Sequence, residues 1–165
     1  MTHKLAIIGL GIMGRRMLEN VIRHPAFELC GVWDPSADSV DKTRTMLPTA
    51  PIASSAQTAM READVVYLAC PPGPRKTYAL EAAANGQGVF MEKPLGTDNT
   101  ESRDLLKQLE KARLPSVVNF TQAASRGFEE LSRAIQAGET GELLGIDILV
   151  NYPAWPRAWQ KDADW

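Results

Sequence analysis

Residues 9 to 14 read Gly9-Leu10-Gly11-Ile12-Met13-Gly14, and this stretch decides the fold that the sequence predicts. It matches the G-x-G-x-x-G pattern, and it lies between a predicted strand at residues 4–8 and a predicted helix at residues 11–23. In this setting Gly9 permits a tight turn, Gly11 lets the backbone approach a pyrophosphate, and Gly14 lets the helix pack closely on the strand. The free N–H groups at the helix start, around Ile12 and Met13, would hold the phosphates. The stretch therefore predicts a dinucleotide-binding site.

Asp34 lies 20 residues after Gly14, at the end of a second predicted strand at residues 27–33. A carboxylate there accepts hydrogen bonds from the ribose hydroxyls of the adenosine and repels a 2′-phosphate, so we expect NAD rather than NADP. Lys42 and Arg44 on the next helix leave NADP open. Two alternatives are a Rossmann-like domain without a ligand and one that binds S-adenosylmethionine, and Asp34 argues against both.

The rest of the chain alternates short β-branched runs with longer amphipathic segments, a pattern typical of βαβ units. Further strands are predicted at residues 65–70, 89–91 and 117–120, and further helices at 36–47, 54–61, 78–84, 99–112 and 128–137. We therefore predict an α/β fold with a Rossmann-type doubly wound parallel sheet over residues 1–120. Residues 121–165 are expected to hold a connecting helix and the first strand, residues 144–152, of a second α/β domain that is otherwise missing.

Composition restricts the partners. The 18 Lys and Arg side chains are scattered among 20 Asp and Glu side chains, with a net charge of −2, so no basic face for nucleic acid is predicted. No apolar run approaches the ~20 residues of a transmembrane helix, which argues against a membrane partner. Cys30 and Cys70 lie in apolar runs without metal-ligand spacing, so we expect two reduced thiols in the cytoplasm and no metal site.

Two further motifs follow predicted strands at the carboxyl edge of the sheet, where open α/β sheets bind ligands. Cys70-Pro71-Pro72-Gly73 would give a stiff apolar wall for a ribose or a nicotinamide, or alternatively a plain strand-to-helix turn. Glu92-Lys93-Pro94 ends the next strand. A Lys at this edge is placed for proton transfer or for holding a substrate hydroxyl, so Lys93 is the candidate catalytic residue.

Taken together, these features resemble the glucose-fructose oxidoreductase/inositol dehydrogenase/MocA family of sugar and cyclitol dehydrogenases. The resemblance covers essentially the whole chain, and its specific part is the G-x-x-V-x-x-E-K-P run from Gly86 to Pro94. It implies that Lys93 contacts the substrate and the nicotinamide ribose, and that Glu92 lines the same pocket. Two departures prevent borrowing a substrate: Arg75 stands where many members have His, and residues 120–123 replace an Asn-Arg-Arg-like run.

Family members usually carry a second α/β domain that supplies an Asp and a His for proton abstraction. We therefore expect this chain to be a shortened form or a fragment. The predicted strand at residues 144–152 and the tryptophans that follow, Trp155, Trp159 and Trp165, would also allow two copies to associate.

The first functional hypothesis is therefore an NAD-dependent enzyme that oxidises a hydroxyl-bearing carbon of a polyol or sugar-like molecule. An alternative is a module that binds the dinucleotide without catalysis. A third is a β-hydroxyacid dehydrogenase, because residues 9–14 look very like the opening motif of that family. Asp34 and Glu92-Lys93-Pro94 argue against the third hypothesis.

Overall fold

The computed structural model describes residues 1–156. The chain divides into two compact units, Met1–Asn119 and a second that begins at Phe120. The strands are β1 (His3–Ile8), β2 (Phe27–Trp33), β3 (Val65–Leu68), β4 (Gly88–Glu92) and β5 (Ser116–Asn119). The helices are α1 (Ile12–Val21), α2 (Ala37–Met46), α3 (Ala56–Met60), α4 (Pro72–Ala84), α5 (Asn99–Ala112) and α6 (Arg126–Gln136).

The five strands form one parallel sheet in the order β2-β1-β3-β4-β5. The chain leaves β1 for β2 on one side and then returns to β3 on the other, so the direction of winding reverses between β1 and β3. Such a reversal opens a crevice at the carboxyl ends of the strands. Beyond β2, one parallel bridge between Val32 and Ile52 marks a further short extended segment. The predicted doubly wound Rossmann-type sheet is confirmed.

Helices cover both faces of the sheet. Successive residues of a strand point to opposite faces, and in β1 the buried Ala6 and Ile8 belong to one apolar cluster while Leu5 and Ile7 belong to the other. The first cluster includes buried residues of α3, α4 and α5. The second includes Leu18 and Val21 of α1. Because both faces of the sheet are buried against helices, the packing fixes where the strands end and where the loops that follow them begin.

Helix α4 begins at Pro72, well before the start predicted at residue 78. Pro71 is its N-cap and Pro72 its first residue. Proline is compatible with a first helical turn, because the N–H that it lacks would have no acceptor within the helix there and its fixed φ suits the helix. The predicted proline loop is therefore mostly the first turn of α4.

The second unit contains α6, which is amphipathic and has no buried residue. Residues 143–152 carry no helix or strand, and most of their apolar side chains are exposed. The strand predicted at residues 144–152 is wrong for this structure, because a strand is held by hydrogen bonds to a neighbour and none of residues 1–156 pairs with this segment. Trp159 and Trp165 lie outside the described residues. The assignment of residues 121–165 to a second domain stays a prediction.

Among residues 1–156, none of the helices combines the length and the apolar content that crossing a bilayer requires.

Candidate functional site

The three glycines of the loop after β1 have different surroundings. Gly9 has a φ of +98°, and a Cβ there would lie 2.5 Å from the backbone nitrogen of Cys70. A Cβ at Gly14 would overlap the carbonyl oxygen of Gly9. A Cβ at Gly11 would meet no atom within 4 Å. The fold therefore requires glycine at positions 9 and 14, whereas Gly11 leaves the outer face of the loop open to a ligand.

The N-terminus of α1 is uncapped. Its N-cap residue is Gly11, which has no capping side chain, and no acidic residue lies in the first turn. The first hydrogen bond into the helix joins the Arg15 N–H to the Gly11 carbonyl at 3.0 Å. The preceding N–H groups, those of Ile12, Met13 and Gly14, are therefore not used by the helix. Together with the helix dipole, they form a site suited to a phosphate group.

Asp34 lies beside this loop because β2 is the neighbour of β1. Its Oδ2 atom accepts a hydrogen bond from the Leu10 N–H at 2.6 Å, and its Oδ1 atom accepts one from the Ser36 N–H at 2.8 Å. The side chain is half-buried. Each carboxylate oxygen has a second lone pair, so Asp34 retains acceptor capacity for a vicinal diol such as that of a ribose.

The basic residues of α2 are engaged by acidic residues of the same helix. Lys42 Nζ lies 2.6 Å from an oxygen of Asp38, and Arg44 Nη1 lies 3.3 Å from an oxygen of Asp41. All four side chains are largely exposed. Neither cation is directed at the Asp34 carboxylate by these contacts.

Cys70 lies next to the glycine loop. The N–H groups of Ala69 and Cys70 both donate to the Ile8 carbonyl, at 2.8 and 3.1 Å. The thiol is buried, and this burial raises its pKa. Pro71 and Pro72 follow as the start of α4. A protonated, buried thiol is a packing group, so this segment offers a wall to a ligand and no nucleophile.

Glu92 is buried at the end of β4 and is hydrogen-bonded to both neighbouring strands. Its Oε1 atom accepts from the Tyr67 hydroxyl of β3 and from Asn119 Nδ2 of β5, each at 2.5 Å. Burial, with the hydrogen bond to Glu92 second, raises the pKa of Tyr67 far above its usual value, so its phenol stays a donor. With 3% of its surface exposed, Glu92 holds the strand ends together more than it lines an open pocket.

Lys93 is the first residue after β4, and it is exposed. The backbone around it is bound by Arg75 of α4. Arg75 Nη1 donates to the carbonyl of Glu92 at 2.5 Å and also to the carbonyl of Pro94, while Nη2 donates to the carbonyl of Cys70 at 2.6 Å. Arg75 is buried, and this burial lowers the pKa of its guanidinium group.

Sequence reasoning did not identify Tyr67, Asn119 or Arg75 as parts of the site. Asn119 pairs with Glu92 across the β4–β5 ladder, but the register of that ladder is not readable from either strand alone. In the sequence, Arg75 stands out only because many members of the family that the chain resembles have His at this position. A signal was present in its position: a cation three residues into a proline-started helix lies close to the carboxyl ends of the neighbouring strands.

All of these segments lie at the carboxyl ends of adjacent strands. The glycine loop follows β1, Asp34 follows β2, Cys70-Pro71-Pro72 follows β3, and Lys93 follows β4. An open backbone at Gly11, unused N–H groups and a carboxylate with spare acceptor capacity fit a dinucleotide with two ribose–phosphate units. Within residues 1–156, no group of three or more His, Cys, Asp or Glu side chains is arranged to hold a metal ion.

Comparison with known proteins agrees with this geometry. The chain is 24% identical over 147 residues to the scyllo-inositol 2-dehydrogenase (NAD(+)) of Bacillus subtilis, covering 86% of this chain and 43% of that protein. It is 29% identical to a glycosyl hydrolase family 109 protein of Saccharopolyspora erythraea, covering 87% of this chain and 34% of that protein. The chain therefore spans less than half the length of these curated relatives.

A solved structure shares the fold. The scyllo-inositol dehydrogenase of Lactobacillus casei, determined with NAD(H) and scyllo-inositol bound, superposes with a TM-score of 0.77 at 19% identity, over 86% of this chain and 43% of that one. A family model described as an oxidoreductase family with an NAD-binding Rossmann fold matches residues 3–120, more than two thirds of the chain. The chain belongs to this family, the Gfo/Idh/MocA oxidoreductases.

Proposed function

We propose that the native protein is an NAD-dependent dehydrogenase that oxidises a hydroxyl-bearing carbon of a cyclitol or sugar-like molecule. The observation that carries the proposal is the arrangement at one sheet edge of an uncapped helix N-terminus, the open Gly11 backbone and the Asp34 carboxylate. Lys93 follows β4 at the same edge, two strands from β1. When bound, NAD supplies the acceptor for the hydride of the substrate.

The residues that would hold the cofactor have separate tasks. The N–H groups of Ile12, Met13 and Gly14 would bind the pyrophosphate, which reaches them because Gly11 has no side chain. Asp34 would accept hydrogen bonds from the adenosine ribose. Cys70-Pro71-Pro72 would form an apolar wall beside the dinucleotide. Glu92 is proposed to act mainly by fixing the end of β4, from which Lys93 follows.

NAD is favoured over NADP by the charges around Asp34. A 2′-phosphate in place of the ribose hydroxyl would lie against this carboxylate and be repelled. The cations that left NADP open, Lys42 and Arg44, are paired with Asp38 and Asp41. Either of these two cations would have to leave its partner to bind a 2′-phosphate.

Lys93 Nζ is proposed to orient the hydroxyl that is oxidised and to take part in the removal of its proton. A positioned side chain of this kind contributes about 10²- to 10⁴-fold to a rate. The proposed substrate class rests on the relatives, among which inositol dehydrogenases are named. A module that binds NAD without catalysis is the alternative.

A comparison of Lys93→Ala with Lys111→Ala tests the proposal. Lys111 is an exposed lysine in the last turn of α5, remote in sequence from the glycine loop, and serves as the control. The native protein should reduce NAD with a cyclitol or sugar panel that includes scyllo-inositol. Lys93→Ala should lower kcat by about 10²-fold or more with little change in NAD affinity, and Lys111→Ala should change neither. Tight NAD binding without turnover of any polyol or sugar would support the binding module instead.

A further inference from the structure

The guanidinium group of Arg75 joins two strand ends. Nη2 donates to the Cys70 carbonyl, which follows β3, and Nη1 donates to the Glu92 and Pro94 carbonyls at the end of β4. The side chain is 2% exposed. One planar group therefore links the segments that follow two neighbouring strands.

The two carbonyls bound by Nη1 are those on either side of Lys93. The β4–β5 ladder ends at the Glu92–Asn119 pair, and the β3–β4 ladder ends at the Leu68–Met91 pair. Past Glu92 the sheet no longer fixes the backbone. Arg75 supplies hydrogen bonds at the point where the ladder stops, and Lys93 lies between the two carbonyls that it binds.

Burial of the Arg75 guanidinium group costs free energy that a side chain needed only for packing would not require. Within residues 1–156, Arg75 forms no ion pair with a carboxylate, and its buried Nε has no acceptor. The guanidinium group is compensated by carbonyl groups and by the charge of Glu92 without direct ion pairing. Burying a cation in this way costs free energy, and an apolar side chain of similar volume often fills such a space at no loss of stability. A requirement for geometry explains the arginine better than a requirement for stability does.

We propose that Arg75 is the positioning residue for Lys93: its guanidinium group fixes the backbone on both sides of Lys93 relative to the Cys70 segment. The use of Lys93 in catalysis rests on the proposed function, whereas the fixing of the backbone does not. A lysine cannot replace the planar fork, because its ammonium group is a single point charge without the paired donor geometry of a guanidinium.

The experiment compares Arg75→Ala and Arg75→Lys with Lys76→Met in the native protein. Lys76 is the next residue of α4, and it pairs at the surface with Asp104. The first readout is hydrogen exchange at the amides of Lys93, Leu95 and Gly96, which needs no cofactor or substrate. Both Arg75 variants should speed this exchange by about tenfold or more, while the amides of β1 and β3 stay protected and Lys76→Met behaves as wild type.

The second readout separates positioning from structure. In Arg75→Lys, kcat should fall by about 10²-fold with NAD affinity unchanged, since a small misplacement of a reacting group has this effect. Added guanidinium ion, well below unfolding concentrations, should restore protection and rate in Arg75→Ala. Equal exchange rates in Arg75→Lys and Lys76→Met would overturn the inference. Faster exchange throughout the sheet that added guanidinium ion does not reverse would overturn it as well. A wild-type protein that binds no NAD would refute the proposed function but leave the exchange result to decide the role of Arg75.

Discussion

The carboxylate of Asp34 is hydrogen-bonded to the backbone N–H of Leu10 across 2.6 Å, so the end of β2 is fixed to the glycine loop that follows β1. The same carboxylate is the group proposed to select the adenosine ribose. The attachment of β2 to the glycine loop and the recognition of the ribose therefore depend on the same side chain.

Asp34→Asn should weaken NAD binding by about tenfold, or about 1.4 kcal/mol, and should reduce the preference for NAD over NADP. The amide has almost the same shape but carries no charge. Because its NH₂ group donates and cannot accept, the hydrogen bond from either the Leu10 N–H or the Ser36 N–H is lost. Titration calorimetry with each cofactor measures both effects. Asp38→Asn, which removes an exposed carboxylate from α2, should leave both affinities unchanged. An unaltered cofactor ratio in Asp34→Asn would rule out selection by this charge.

Gly11→Ala and Gly14→Ala should fail in different ways. The added methyl group at position 11 meets no protein atom within 4 Å, so Gly11→Ala should fold normally yet lose NAD affinity by more than tenfold. At position 14 the methyl group overlaps the Gly9 carbonyl oxygen, so Gly14→Ala should lose about 3 kcal/mol of stability. Thermal unfolding and NAD titration distinguish the two. Gly127→Ala, on α6 and also without a neighbour within 4 Å, should bind NAD as wild type does.

Tyr67→Phe should change the alkaline limit of stability. Because burial and Glu92 raise the pKa of Tyr67 above its ordinary 10.0, the folded state keeps a proton that the unfolded state releases above about pH 10. The protonated phenol therefore contributes fully to the free energy of unfolding below pH 10. Above pH 10 this contribution is lost, by up to about 1.4 kcal/mol per pH unit. In urea unfolding at pH 9 to 11, Tyr67→Phe should show a shallower decline. Parallel curves for the two proteins would contradict the assignment.

At neutral pH, Tyr67→Phe should also lower the free energy of unfolding by about 1–3 kcal/mol. The substitution leaves the buried Glu92 carboxylate with Asn119 as its remaining donor to Oε1. Tyr78→Phe, on α4 and only partly buried, is the control and should have a smaller effect.

Most of the helices and strands could be predicted from the sequence. Hydrophobic periodicity and glycine turns are marked by residues that lie close together in the chain. The range 99–112 for α5 and 27–33 for β2 agree with the structure, and the surroundings of Gly9 and Gly14 match their predicted structural roles. The start of α4 was wrong because prolines were interpreted as loop residues, although a first helical turn accepts them.

The hydrogen-bond network was beyond sequence reasoning for a different reason. Tyr67, Glu92 and Asn119 lie on three strands, and only the ladder register brings them together. Arg75 reaches carbonyl groups, which every residue possesses and no sequence pattern marks. Contacts of this kind follow from tertiary structure, whereas the phosphate-binding loop follows from local sequence.

Amide NMR of the native protein during a titration with NAD would show whether one NAD molecule binds over the glycine loop. We expect saturable binding, with the largest shifts at the amides of residues 9–14 and of Asp34. Absence of saturation, or shifts confined to residues remote from this loop, would show that NAD does not bind there.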